Sequence, residues 1–193
     1  MLSLAELPAS PLVFLLEAHT TRTPSLLLVT GASGAGKTAW CSAIEAYARE
    51  QHWIVAGLLS PRVMDNGYKV AIDLQDLHSG ERRRLATRTQ SIIEGTELMP
   101  PGGIMAGAWS FDPRTIQWGN DVLSAVTNPD LLIIDELGPL EFRRQQGLQG
   151  ALKLLDAWRG NLVCVAIRPS LVGAARMRWP WSRLLVVGED EHD

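Results

Sequence analysis

The stretch Ser25-Leu26-Leu27-Leu28-Val29-Thr30-Gly31-Ala32-Ser33-Gly34-Ala35-Gly36-Lys37-Thr38 decides the fold. Its first six residues form an apolar run suited to a buried strand, and they lead straight into G-x-x-x-x-G-K-[ST], the phosphate-binding loop. A triphosphate needs many donors at close range, and glycine lets backbone N–H groups approach it without a Cβ in the way. Lys37 adds a point charge toward the β- and γ-phosphates, and the Thr38 hydroxyl suits Mg2+. Beyond Gly36, the residues Trp40, Ala43, Ile44 and Tyr47 fall at helical spacing. A helix therefore begins where the loop ends, with its positive N-terminal dipole aimed at the bound anion. Gly31 to Thr38 are the expected nucleotide-binding residues.

Downstream of this unit, Trp53 to Ser60 reads as a second strand, and Asp65-Asn66-Gly67 signals a tight hairpin because Asn and Gly tolerate positive φ. The returning strand runs from Tyr68 to Leu74, and a turn at Ser79-Gly80 leads to another near Arg84 to Thr87, which together make a β-ribbon. From Thr89 to Gly107 no periodicity stands out, and Pro100-Pro101-Gly102-Gly103 marks a loop, either a segment over the active site or an ordinary surface connection. Residues 112–127 fit a helix capped by Asp112 with Pro113 in its first turn. Leu131-Leu132-Ile133-Ile134 is a continuous apolar strand of the kind a parallel sheet covers on both faces. A helix from Arg144 to Trp158, a strand from Leu162 to Ile167, a short helix near Leu171 to Arg176 and a strand from Leu184 to Val187 complete the series. Strand and helix alternate, so the expected class is α/β: a three-layer α/β/α phosphate-loop fold with a mainly parallel sheet and an inserted ribbon.

The chain has 193 residues, of which 46% are hydrophobic and 20% charged, which suits one domain with a substantial core. Residues 1–24 read as a peripheral N-terminal segment and 188–193 as an acidic tail. A net charge of −3 gives no general attraction to nucleic acid or to an anionic membrane. Pro11 to Leu16 is too short an apolar run to cross a bilayer and lacks the basic flank of a secretion signal, so it is expected as a short helix beside the nucleotide site. Cys41 and Cys164 have neither metal-ligand spacing nor a disulfide framework, which favours a reduced, cytoplasmic setting.

The second chemical signal is the apolar run Leu131–Ile134 ending in Asp135-Glu136, a Walker B pattern. Asp135 is expected to hold Mg2+ beside Thr38, and Glu136 to face the γ-phosphate and orient or deprotonate water. A carboxylate directly after the metal-binding Asp favours water as the acceptor without excluding a bound alcohol. Glu141 reads either as a partner of the metal or water or as an exposed loop carboxylate. Arg143, Arg144, Arg168 and the run Arg82-Arg83-Arg84 are candidates to balance transition-state charge; Arg168, at the end of a strand on the nucleotide side, is the first choice. Of the seven tryptophans, Trp109, Trp118, Trp179 and Trp181 could stack a nucleobase, although core packing is the default for each.

Together these pieces resemble the small P-loop nucleoside-triphosphatases, a family with the human cancer-related nucleoside triphosphatase among its members. Four features carry the likeness: Gly31 to Thr38, Gly57-Leu58-Leu59-Ser60 with the ribbon through Gly67 to Asp73, Trp109-Ser110-Phe111-Asp112 before a helix, and Asp135-Glu136-Leu137-Gly138-Pro139-Leu140-Glu141. The resemblance implies a RecA-like core and slow, Mg2+-dependent hydrolysis of ATP, GTP and other nucleoside triphosphates. It carries nucleotide binding onto Gly31 to Thr38 and metal and catalytic roles onto Asp135 and Glu136, beside the motif's own reading of Lys37 as catalytic and Thr38 as a metal ligand. The chain departs from the pattern at Pro61, Arg62 and Met64 in the ribbon and at Trp40 after the loop. A nucleoside or nucleotide kinase, or a nucleotide-dependent switch with slow hydrolysis, would use the same loop and acidic pair.

Overall fold

The computed structural model describes residues 24–95 and 99–188. The expected first strand is β1, Ser25–Thr30, and the helix behind the loop is α1, Lys37–Glu50. Next come β2, Val55–Leu59, β3, Arg62–Asp65, β4, Tyr68–Asp76, and β5, Arg82–Arg88. Asn66 and Gly67 have φ of 46° and 81°, as the two-residue hairpin between β3 and β4 requires. α2, Thr89–Ile93, and β6, Ile104–Ala106, lie in the interval read as loop. Both are too short to display a hydrophobic period, and β6 owes its existence to antiparallel pairing with β7, Trp109–Phe111.

α3, Pro113–Ser124, starts where expected, with the Asp112 carboxylate accepting the Arg114 amide at 2.8 Å. β8 covers Leu131–Leu137. The helix expected from Arg144 to Trp158 is shorter, α5, Gln149–Asp156, and an unexpected short helix, α4, Pro139–Arg144, precedes it. The break falls at Gln145 and Gly147, with φ of 53° and 73°. There the Gly147 backbone passes so close to the Glu141 carboxylate that a Cβ would sit 1.9 Å from Oε1. β9, Leu162–Ile167, a 3-10 turn at Pro169–Leu171, α6, Val172–Arg178, and β10, Ser182–Val186, end the described chain. The apolar run Pro11–Leu16 and the acidic tail beyond residue 188 lie outside the described residues.

Among the described residues ten strands form one sheet in the order β10-β1-β9-β8-β2-β4-β5-β7-β6, with β3 paired to β4. Parallel pairing joins β10, β1, β9, β8 and β2. From β2 onward every pairing is antiparallel, so the sheet is evenly mixed where a mainly parallel one was expected. The hairpin-linked strands continue the parallel half by hydrogen bonding at its β2 edge.

Alternate residues of the parallel strands face two separate cores. Leu26, Leu28, Leu132, Ile134, Val163 and Val165 meet α3, α5 and α6 on one side. Leu27, Val29, Leu131, Ile133 and Cys164 meet α1 on the other, through Trp40, Cys41 and Ile44. Covering on both faces explains the continuous apolar runs. Trp40 is 2% exposed and belongs to this second core. Both cysteines are free and buried, and burial pushes both thiols up, away from the reactive thiolate. Among the described residues no helix is long and apolar enough to cross a membrane.

Candidate active site

The loop between β1 and α1 is positioned from its flank by β10. Past that strand the Val187 amide donates to the Thr30 carbonyl at 2.7 Å. The Val187 carbonyl approaches so closely that a Cβ on Gly31 would lie 2.3 Å from it. Gly34 and Gly36 adopt φ of 87° and 97°, which turns the chain into the first turn of α1, where the leading amides have no intrahelical acceptor. Lys37 Nζ donates to the Gly31 and Ala32 carbonyls at 2.8 and 2.9 Å. A phosphate offers the same ammonium a charge-assisted partner.

Asp135 and Glu136 close β8 on a β-bulge. Ile134 pairs with Val165 and Leu137 with Ile167, so β8 carries one residue more than β9 over this interval. Glu136 takes up the excess with φ of 74°, a left-handed conformation that costs a side-chain-bearing residue about 1–2 kcal/mol. Bulges of this kind re-aim side chains beside active sites. Asp135 is 1% exposed. Its Oδ2 accepts the Ser60 amide at 3.0 Å, and Ser60 Oγ donates to the Asp135 carbonyl at 2.8 Å. Burial pushes the Asp135 carboxyl up to about 6, against the Ser60 amide and the Thr38 hydroxyl that hydrogen-bond to it. Glu136 remains partly open to solvent and pairs with Arg168, whose Nη2 lies 3.0 Å from Oε1.

These groups share one cavity of about 900 Å3, whose lining includes Gly31, Ser33, Gly34 and Gly36 to Thr38 at one end and Asp135, Glu136 and Arg168 beside them. The two distant sequence signals are thus brought together, and Arg168 is brought to Glu136. Arg144 also reaches the cavity, with Nη1 donating to the Met105 carbonyl at 2.7 Å. The Arg82-Arg83-Arg84 run does not line it. Those side chains hydrogen-bond Gln75, Glu81 and Asp73 along the half of β5 that pairs only with β4. Trp109 is the sole member of the four proposed stacking tryptophans on the cavity wall. Trp179 is 1% exposed and packs edge-on to Phe142, and Trp118 lies under Arg83.

Glu141 is neither exposed nor turned toward the metal position. It is buried, with Oε2 accepting the Gly138 amide at 2.7 Å and Oε1 the Leu148 amide at 2.9 Å. Sequence reasoning also passed over Ser60, which fixes Asp135, and Lys69, which enters the cavity from β4. Ser60 carried a signal, since a polar residue directly after an apolar strand next to the acidic one is well placed to bond its end. Lys69 carried none, because its inward direction depends on the β3–β4 register.

The chain matches the family described as NTPase over residues 26–179. It belongs to the NTPase family. This NTPase is 28% identical to the nucleoside-triphosphatase THEP1 of Caldivirga maquilingensis over 144 residues, covering 75% of this chain and 76% of that one. It is 25% identical to THEP1 of Methanopyrus kandleri over 135 residues, 69% of each chain. Among solved structures it superimposes on the human cancer-related nucleoside triphosphatase with a TM-score of 0.63 over 86% of this chain and 90% of that one, at 21% identity. That last likeness concerns the fold. The expected nucleoside-triphosphatase class stands, and the NTPase is an enzyme with a phosphate-loop α/β fold.

Proposed function

We propose that this NTPase hydrolyses ATP, GTP and other nucleoside triphosphates to the diphosphate and phosphate, using Mg2+ held by Thr38 and Asp135 and water oriented by Glu136. The donor set fits the ion: a hydroxyl and a carboxylate, both hard oxygen ligands, with few protein groups so that most of the shell stays water. Among the described residues there is no cluster of three or more His, Cys, Asp or Glu suited to a softer metal. Asp135 is buried and carries a raised carboxyl, so a cation at this point would compensate a charge that burial disfavours. Bound there, Mg2+ would neutralise charge on the β- and γ-phosphates.

The chain's own groups supply the rest. Amides of Gly31 to Thr38 bind the phosphates, and the Lys37 ammonium exchanges its loop carbonyls for phosphate oxygens. The Glu136 carboxylate accepts a hydrogen bond from water and takes its proton as the new P–O bond forms. Arg168, already against Glu136, offers its remaining N–H groups to the charge on the γ-phosphoryl oxygens in the transition state. The bulge that puts Asp135 and Glu136 on the phosphate-loop cavity is the observation that carries this reading. The order of the five parallel strands supports the RecA-like form, with β3 to β5 as the inserted ribbon. A cytoplasmic location accords with two free, buried cysteines. The test is phosphate release from ATP, GTP, CTP and UTP by wild type and Glu136→Gln. The variant is expected to lose about 100-fold or more in turnover while binding nucleotide with unchanged affinity, and undiminished turnover would remove Glu136 from the mechanism.

A further inference from the structure

The cavity is longer than a triphosphate needs. The phosphate loop follows β1, and the acidic pair ends β8, two places along the sheet. Ile72, Leu85 and Phe111 line the same cavity from β4, β5 and β7, which are two, three and four places further on. At about 4.8 Å between strands, the far wall stands roughly 10–20 Å beyond Glu136. Thr38 and Asp135 would hold the metal on the β8 side of the loop, so the γ end of a bound triphosphate would face β8 and the nucleoside would lie on the opposite side. The chamber under β4 to β7 is then left over.

Its chemistry is divided. The inner wall is apolar, with Ile72, Leu85, Ile116 and Leu148 each no more than 7% exposed, and Trp109 and Phe111 offer half-buried ring faces. The end nearest Glu136 is cationic, with Arg62, Lys69 and Arg168 on the lining. Arg168 is paired to Glu136, whereas neither Arg62 nor Lys69 has an ion-pair partner among the described residues. The Lys69 ammonium sits 4.9 Å from the Trp109 ring centroid. Burial, with Arg62 and Arg168, holds its pKa below the usual lysine range despite Glu136 and Asp135. Concave, mostly apolar walls with a few convergent polar groups are what a small-molecule site requires.

We propose that this chamber is a second substrate site that takes a nucleoside monophosphate, its phosphate between Arg62, Lys69 and Arg168 and its base against Trp109 and Phe111, and that this phosphate accepts the γ-phosphoryl group. The inference rests on the nucleotide-site reading above. An oxygen of the monophosphate attacks the γ-phosphorus and forms the new P–O bond. The bond from the γ-phosphorus to the β–γ bridging oxygen breaks, and the nucleoside diphosphate leaves with that electron pair. Two diphosphates result, and no proton need move from a dianionic acceptor. Hydrolysis is the same displacement with water in the acceptor's place.

The experiment incubates the full chain with ATP, Mg2+ and AMP, GMP, CMP, UMP or dTMP in turn. Diphosphate formed from the acceptor is read by 31P NMR and ion-exchange chromatography, and phosphate release is read in the same samples. At least one monophosphate is expected to yield its diphosphate ten times faster than phosphate is released without acceptor. Ile116→Trp, which fills the chamber, should reduce transfer at least tenfold more than it reduces acceptor-free phosphate release. Lys69→Met should raise the acceptor's KM about tenfold, with Lys69→Arg restoring it, and this variant serves should the tryptophan disturb folding. No diphosphate from any of the five, binding without transfer, or simple competition with ATP would each overturn the proposal. Wild-type chain that transfers to an acceptor yet releases no phosphate alone would support the second site and refute the hydrolase reading, so the two fail separately.

Discussion

Replacing Glu136 by Gly and by Ala should invert the usual order of stability. Both substitutions remove the carboxylate and its contact with Arg168. That contact, between side chains 31% and 52% exposed, is worth about 0–1 kcal/mol and is common to the two, so it cancels in the comparison. What differs is the backbone. Glu136 holds φ of 74°, where a Cβ costs about 1–2 kcal/mol and glycine pays nothing. In an ordinary strand interior glycine is the worse residue by roughly 0.5–1 kcal/mol; here Glu136→Gly should be more stable than Glu136→Ala by about 1 kcal/mol. Urea unfolding of both variants, with equal m-values, measures the difference. Both should be inactive in phosphate release. Alanine equal to or more stable than glycine would mean that the bulge does not hold this residue in the left-handed region, and with it would fall the account of how Asp135 and Glu136 reach one cavity.

Gly57 pairs with Ile133 at φ of 115°, where a Cβ would lie 1.9 Å from the Ile133 carbonyl oxygen; Gly57→Ala should cost about 3 kcal/mol or more, and denaturant unfolding within about 1 kcal/mol of wild type would refute the close approach of β2 to β8. Asp112→Ala removes the cap of α3 and should lower stability by about 1 kcal/mol without changing nucleotide affinity, as read by thermal unfolding and by titration. Burial holds the Glu141 carboxyl above its ordinary value of 4.5 despite two amide donors, so the folded chain keeps that proton to higher pH than the unfolded one. Stability from this group is full at low pH and is lost as pH rises through the folded value. The lead of wild type over Glu141→Gln should therefore shrink as pH climbs from 4.5, and a lead that grows over that range would refute the burial.

What was legible in the sequence was what depends on local chemistry. Gly31 to Thr38 announces its loop because triphosphate cradles demand glycines, and the β3–β4 turn announces itself because Asn66 and Gly67 tolerate positive φ. The apolar runs of β1, β8 and β9 say that both sheet faces are covered, as the two cores show. What was hidden depends on partners distant in the chain. The evenly mixed sheet arises because β4 pairs with β2 and β7 with β5, and no local pattern encodes such a choice. Lys69 points into the cavity only by virtue of register, and a one-residue slip would turn it out. The break between α4 and α5 was readable at Gly147, but the reason for it was not: the carboxylate that the glycine makes room for lies six residues earlier in a separate helix.

That carboxylate connects the acidic strand to Leu148, another residue of the cavity lining. In a regular strand Asp135 and Glu136 would face opposite sides of the sheet. The bulge breaks the alternation, and it is held beyond Glu136 first by the pairing of Leu137 with Ile167. Glu141 adds a second hold: one oxygen accepts the Gly138 amide, two residues after Glu136, and the other accepts the Leu148 amide at the start of α5. Ser60 fixes the near side by bonding both the carboxylate and the carbonyl of Asp135. The strain at Glu136 is thus confined between two anchors, each a buried hydrogen-bonded group whose loss would leave backbone amides unpaired. A residue so confined cannot relax toward the ordinary strand conformation, and its carboxylate stays on the cavity side, where Arg168 and the phosphate loop are.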